Sequence, residues 1–192
     1  LSGYSCKTPI GHHATLAMPE QEESVLVAMS PTRLGSTNPT PTGNPAAAEY
    51  QSTAPDKRFK SLSRVPLLWQ SPRTDDFSAF PTRRGFTDLV GMFHRPGTGK
   101  PAWTTATFTT EGFVWFALKD PDMLPATLLW VSNRGRHFAP WDGRNCCLGL
   151  EDVCGFFAEG IAPSVRANFL SRDGIATCVH LSPKQPLEVR YI

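Results

Sequence analysis

Four short apolar segments separated by turn residues, between residues 86 and 132, constrain the fold more than any other feature of this sequence. Each segment has the length and the β-branched and aromatic content of a strand: 86–94, 102–109, 112–118 and 126–132. Glu111 and Gly112 separate two of the segments and predict a tight hairpin. Helical periodicity is weak here, so the pattern predicts an antiparallel sheet.

Further strands are predicted on both sides of this block: 8–19, 24–29, 147–151, 174–181 and 187–192. One helical turn is predicted near 152–160. With 192 residues, the chain is expected to form one all-β domain, an antiparallel β-sandwich with more than a third of its residues in strands and under a tenth in helix.

Two other segments carry specific expectations. The run 113–118 is apolar at successive positions, which predicts a strand covered on both faces. Residues 30–57 are rich in Pro, Thr, Asn, Gly and Ala, which predicts a long loop without a core of its own.

Composition indicates which kinds of binding partner and which cellular compartment to expect. The 19 basic residues against 17 acidic ones do not form the concentrated charge that nucleic-acid binding requires. The number of cysteines, 5, is odd, which argues against a disulfide framework. The sequence also contains no CxxC pair, which argues against a structural zinc site. No apolar run approaches the ~20 residues of a membrane span. We therefore expect a cytoplasmic protein without a membrane or nucleic-acid partner, and without a metal or cofactor.

Two residues, His13 and Glu151, stand out as able to carry chemistry. On a strand, His13 shares its face with Thr15 and Ala17, whereas its neighbour His12 shares the apolar face of Leu16 and Met18. Glu151 likewise shares a face with Cys147 and Gly149, and the glycine leaves room beside the carboxylate. Taken alone, a histidine on a strand and a glutamate at a strand end also occur as ordinary structural or solvated residues.

The segment from Gly11 to Pro19, with the sequence GHHATLAMP, resembles the pattern G-x-H-P-x-F-x-x-P of the galactose-mutarotase-like (aldose 1-epimerase) superfamily. The segment 147–151, CLGLE, resembles the strand that ends in that family's catalytic glutamate. The resemblance implies a sugar as the small-molecule partner, His13 as the acid and Glu151 as the base. Acid–base exchange of sugar anomers requires no cofactor.

Four further residues are candidate ligands for a sugar: His12, Asp88, Trp141 and Arg134. Aromatic faces suit the apolar side of a sugar ring, and arginine suits a phosphate or carboxylate on a sugar. Asp88 is equally suited to capping a turn, and Arg134 and Arg136 to exposed loop positions.

The chain also departs from the family pattern. Asp152 stands where the family has proline after the glutamate, Ala14 replaces the proline after the histidine, and Leu16 replaces the aromatic residue. Full domains of the family are longer and draw an Arg and a second His from an N-terminal half. We therefore expect the C-terminal part of such a fold, with an unpaired edge or apolar face that favours self-association. A non-catalytic carbohydrate-binding domain, an inactive fragment and a purely structural β-domain remain alternatives.

Overall fold

The computed structural model describes residues 3–192. Strands account for 42% of the residues and helices for 8%, so the all-β prediction is confirmed. The strands, in chain order, are β1 (Cys6–Thr8), β2 (Ile10–Ala17), β3 (Val25–Met29), β4 (Thr32–Thr37), β5 (Arg58–Phe59), β6 (Val65–Pro66), β7 (Thr74–Asp75), β8 (Ala79–Phe80), β9 (Phe86–His94), β10 (Ala102–Phe108), β11 (Phe113–Lys119), β12 (Ala126–Asn133), β13 (Cys146–Cys154) and β14 (Val179–Leu181). The helices are α1 (Ile161–Val165) and α2 (Phe169–Arg172), and 3-10 turns lie at Pro45–Ala47 and Leu62–Arg64. Within residues 3–192, no helix has both the length and the apolar character needed to cross a membrane.

Two antiparallel sheets form the sandwich. The larger has six strands in the order β2-β13-β12-β9-β4-β5, and the smaller has four in the order β11-β10-β3-β8. Their facing sides enclose the main core, which includes Val25, Val90, Leu129, Leu148 and Leu150, each fully buried. Burial of each such side chain contributes about 1.5–3 kcal/mol to stability, so this layer holds the two sheets together.

A second core covers part of the outer side of the six-stranded sheet. Leu89 and Leu128 on that side pack with Phe157, Leu170 and Ile175 from the C-terminal segment. Asn168 begins α2 with a capping box, its side chain accepting from the Ser171 backbone N–H, which fixes the short helix over the sheet. The cover does not extend over all of β2, where five of the eight residues are exposed.

Residues 30–57 are not the structureless loop that their composition predicted. β4 lies inside this segment and pairs with β9 across Gly35 and Met92. Gly35 is required there, because a Cβ atom would stand 2.4 Å from the Phe59 ring. The strand has no alternating apolar pattern, and its polar residues Ser36 and Thr37 are buried by pairing with neighbouring strands, which sequence periodicity does not reveal.

β11 is not covered on both faces. It is the edge strand of the four-stranded sheet, and Phe113, Val114 and Phe116 are each at least 50% exposed. The predicted hairpin is present, with Gly112 at a positive φ of 74° between β10 and β11. The apolar run therefore predicted the strand correctly, but the prediction that both of its faces are covered was wrong. Burial depends on which element packs against the strand.

The C-terminal predictions were only partly correct. The predicted strand 174–181 is limited to β14, and the predicted strand 187–192 to a single bridge between Tyr191 and Lys119. The prediction of a helical turn at 152–160 is wrong, because β13 continues to Cys154 and the first helix begins only after Gly160.

A buried polar cluster joins the two sheets at one end of the sandwich. The Lys119 ammonium donates to the Asp152 carboxylate at 2.5 Å, to the Thr127 hydroxyl at 2.7 Å and to the Ala126 carbonyl at 2.6 Å. The Tyr191 hydroxyl donates to the other Asp152 oxygen at 3.1 Å. Burial lowers the pKa of Lys119 to about 8, and Asp152 opposes that shift. Asp152, at the position where the family pattern has proline, is therefore a structural partner of Lys119.

Candidate functional site

His13 and Glu151 lie directly opposite each other on β2 and β13. The Met18 N–H donates to the Cys146 carbonyl, which makes Met18 and Cys146 a hydrogen-bonded pair of this ladder. Pairs alternate along antiparallel strands, so His13 and Glu151 form a closely spaced pair without mutual backbone bonds. Their side chains meet on the outer face of the sheet, with His13 Nε2 2.9 Å from Glu151 Oε1. The two residues singled out from the sequence therefore lie in direct contact.

The two members of this pair differ in exposure. The His13 side chain is 51% exposed and the Glu151 side chain only 16%. Burial raises the pKa of Glu151 from 4.5 to about 7. A carboxyl group with such a pKa exchanges protons near neutral pH, which is the range in which a general acid or base works best.

Thr15 holds the other side of the His13 ring. Its hydroxyl lies 3.1 Å from His13 Nδ1, so both ring nitrogens have a polar partner on one face of the sheet. A hydroxyl group both donates and accepts, so Thr15 can bond to either tautomer of the imidazole. The ring is thereby held with Nε2 towards Glu151.

Gly149 permits close packing beside this pair. A Cβ atom at residue 149 would lie 3.2 Å from Glu151 Oε1, 3.2 Å from Trp130 Cβ and 3.4 Å from His13 Cε1. The missing side chain therefore lets the Glu151 carboxylate, the Trp130 side chain and the His13 ring lie close together, and little of the room predicted beside Glu151 is left between them. Aromatic rings adjoin the pair, since Trp130 lies 6.2 Å from the His13 ring and 5.6 Å from the Trp141 ring, centroid to centroid.

Of the four predicted sugar ligands, only Trp141 is brought to the pair, through Trp130. His12 points to the opposite side of β2, where its ring packs against Tyr191 in a tilted arrangement at a centroid distance of 4.4 Å. Arg134 lies four positions beyond Trp130, about 13 Å along the strand direction, and its guanidinium pairs with Glu20. Neither prediction of a sugar ligand is supported by this placement.

Asp88 is a structural residue, which corrects its prediction as a sugar ligand. It pairs with Val131 and so faces the interior side of the sheet, opposite to Glu151. Its buried carboxylate accepts hydrogen bonds from the backbone N–H and hydroxyl groups of Ser52 and Thr53, at 2.7–2.9 Å. Burial raises the pKa of Asp88, and these four hydrogen bonds oppose that shift. The carboxylate therefore anchors the segment before β5 and has no free oxygen for a ligand.

The predicted anion-binding arginines have protein partners. Arg136 donates to the Glu49 carboxylate at 3.2 Å and to the Thr42 carbonyl at 3.1 Å. The buried Glu49 also accepts from the His137 backbone N–H at 2.8 Å. These contacts hold the beginning of the loop that carries Trp141.

The raised pKa of Glu151 predicts a pH-dependent cost in stability. The folded chain holds the Glu151 proton more tightly than the unfolded chain. Proton binding at Glu151 therefore stabilises the fold fully below pH 4.5, and this stabilisation is lost as the pH rises through about 7. At about 1.4 kcal/mol per pKa unit, Glu151→Gln should gain up to about 3 kcal/mol relative to the unmodified chain between pH 4.5 and 8.

Urea unfolding of both proteins across this pH range measures the difference. Glu22→Gln, at an exposed position, is the matched control and should leave the pH profile unchanged. Parallel profiles for Glu151→Gln and the unmodified chain would contradict the burial of this carboxylate.

Among residues 3–192, no three His, Cys, Asp or Glu side chains are grouped in a way that could hold a metal ion. Comparison with family models, with curated proteins and with solved structures finds no match to this chain, so its functional interpretation rests on the geometry of the His13–Glu151 pair and on its sequence motifs.

Proposed function

We propose that this chain is a carbohydrate-active protein that interconverts the anomers of a free sugar by general acid–base catalysis at His13 and Glu151, in the manner of an aldose 1-epimerase. The observation that carries the proposal is the 2.9 Å contact between a shielded carboxyl group, whose pKa is about 7, and an accessible imidazole. The motifs around both residues resemble those of that superfamily, which supports the same activity.

The spacing of the pair suits the reaction. Anomer exchange removes the proton of the anomeric hydroxyl and protonates the ring oxygen, and both oxygens are bonded to one carbon atom. An acid and a base that are neighbours can therefore serve both oxygens. Glu151 takes the hydroxyl proton while His13 protonates the ring oxygen, the ring opens, the aldehyde rotates, and closure reverses the two transfers.

The aromatic side of the site suits the sugar ring. Trp130 and Trp141 meet edge to face beside Gly149, and the exposed parts of these half-buried rings offer apolar surface to the C–H groups of a pyranose. We infer that the ring rests against these tryptophans while its anomeric carbon lies at His13 and Glu151.

The proposal predicts faster mutarotation. Freshly dissolved α-glucose and α-galactose should approach anomeric equilibrium faster with micromolar protein than without it, as followed by polarimetry. Because the base must be ionised while the acid is protonated, the catalysed rate should pass through a maximum with pH, with its acidic limb set by ionisation of Glu151 near pH 7. Heat-denatured protein is the control for buffer catalysis, and an unchanged rate with both sugars and with other free aldoses would contradict the proposal.

A carbohydrate-binding protein without turnover is the second candidate, favoured by the half-buried Trp130–Trp141 pair on the outer face of the sheet. It predicts that tryptophan fluorescence changes with sugar concentration while mutarotation is not accelerated. A purely structural domain predicts neither response.

A further inference from the structure

β2 has one free edge. The Met18–Cys146 bond sets the ladder so that the even-numbered residues of β2 bond to β13, whereas the N–H and C=O groups of Gly11, His13, Thr15 and Ala17 point away from it. β2 is the terminal strand of the six-stranded sheet, and in the described chain these outward groups have no backbone partner.

This edge lacks the features that normally protect a sheet edge. Folded proteins shorten their edge strands, interrupt them with bulges or proline, place charges such as lysine on them, or cover them. β2 is eight residues long, pairs in continuous register and contains no Lys, Arg, Asp, Glu or Pro. The other edges are treated differently, because β5 and β8 have two residues each, and Tyr191 and Ile192 pair along β11.

We propose that the free edge of β2 is the interface with a second copy of this chain, which pairs antiparallel through β2 of both subunits. One register uses all four outward-facing residues: Gly11 pairs with Ala17 of the partner subunit, and His13 with Thr15 of the partner subunit. Two hydrogen bonds for each of the four pairs give about eight bonds across the interface.

Three features favour a second copy as the occupant. Antiparallel pairing of a strand with itself is compatible with a two-fold axis, so each copy satisfies the free groups of the other. The strand carries no Asp, Glu, Lys or Arg, so the symmetric pairing brings no permanently charged side chains together. In this register the axis passes beside Ala14, whose small side chain leaves room for its own copy.

The pairing also completes the candidate site. A hydrogen-bonded antiparallel pair has a Cα separation of about 5.5 Å and places both side chains on the same face. Thr15 of the partner subunit would therefore lie beside His13, on the same face as Glu151. The two sites of the dimer would be adjacent, and each would contain one residue from the other subunit.

Amide hydrogen exchange tests the interface without any reference to turnover. The even-numbered amides of β2 should be protected at every protein concentration, because they bond to β13. The amides of His13, Thr15 and Ala17 should be protected only at concentrations where light scattering shows a dimer, and their protection should rise at least tenfold across that range. Unprotected odd-numbered amides at concentrations where the chain is dimeric, or a monomer at all concentrations, would overturn the proposal.

Ala17→Pro removes one outward N–H in each subunit and leaves the β13 ladder intact, since proline is tolerated at a free edge. We expect the dimer dissociation constant to rise at least tenfold, while protected even-numbered amides confirm the fold. Phe116→Lys, on the exposed apolar face of β11, is the control and should leave dimerisation unchanged. The reverse result, in which only Phe116→Lys dissociates the dimer, would overturn the proposal and place the interface on the four-stranded sheet.

Discussion

Under the proposed function, Glu151→Gln is expected to remove the catalysed part of anomer exchange, lowering kcat by about 10²- to 10⁴-fold. Glutamine has nearly the shape of glutamate and can remain near the imidazole, but it cannot accept the hydroxyl proton. The loss should therefore appear in kcat, whereas sugar binding measured by tryptophan fluorescence should change little. Stopped-flow polarimetry or NMR exchange spectroscopy of the two anomers measures the rate.

The controls separate chemistry from folding. Glu22→Gln removes an exposed carboxylate and should retain full activity. His13→Gln removes the proposed acid and should cause a loss of similar order, with the double variant no slower than about the slower single variant, because the two groups act in one step. If Glu151→Gln keeps the rate of the unmodified protein, Glu151 is not the base.

A loss of about 3–5 kcal/mol in the free energy of unfolding is expected when one partner of the buried Lys119–Asp152 pair is removed. Both side chains are only 1% exposed. Lys119→Met leaves the Asp152 carboxylate buried with hydroxyl partners alone, and Asp152→Leu leaves an ammonium without its counter-ion. In each case a charge taken out of water loses the group that offset its desolvation.

Urea unfolding measures this loss, and the double variant Lys119→Met with Asp152→Leu tests its cause. The double variant should recover most of the stability, because it leaves no unpaired buried charge. Arg190→Met breaks an ion pair whose side chains are 84% and 72% exposed, and should change stability by less than about 1 kcal/mol. Equal losses for the buried and the exposed pair would contradict this account.

The sequence located the candidate pair because a strand has a period of two. His13 and Glu151 could each be assigned to the less apolar face of a strand, and those faces coincide in the sheet. Their 2.9 Å contact could not be predicted, since it depends on the register between β2 and β13, which lie more than a hundred residues apart. Thr15 had a signal in the sequence, its position two residues after His13, but its contact with Nδ1 depends on the ring orientation.

The incorrect predictions share one cause, which is that exposure and partners are set by distant segments. The sequence alone left Asp88 as a candidate ligand, but the loop at Ser52 and Thr53 lies over its carboxylate in the folded chain. The apolar run of β11 looked like a covered strand but lies at a sheet edge. Asp152 appeared only as a departure from a motif, because its partner Lys119 comes from the other sheet.

Gly149 provides a criterion for comparing this chain with others that carry the same histidine and glutamate. A Cβ atom added at residue 149 would lie within 3.4 Å of Glu151, Trp130 and His13, so any side chain there would displace at least one of these groups. A relative that keeps the histidine and the glutamate but has a larger residue at the position of Gly149 would therefore retain the two residues and lose their present arrangement. Retention of the glycine distinguishes a chain that can hold the two groups in contact from one that preserves only the motif.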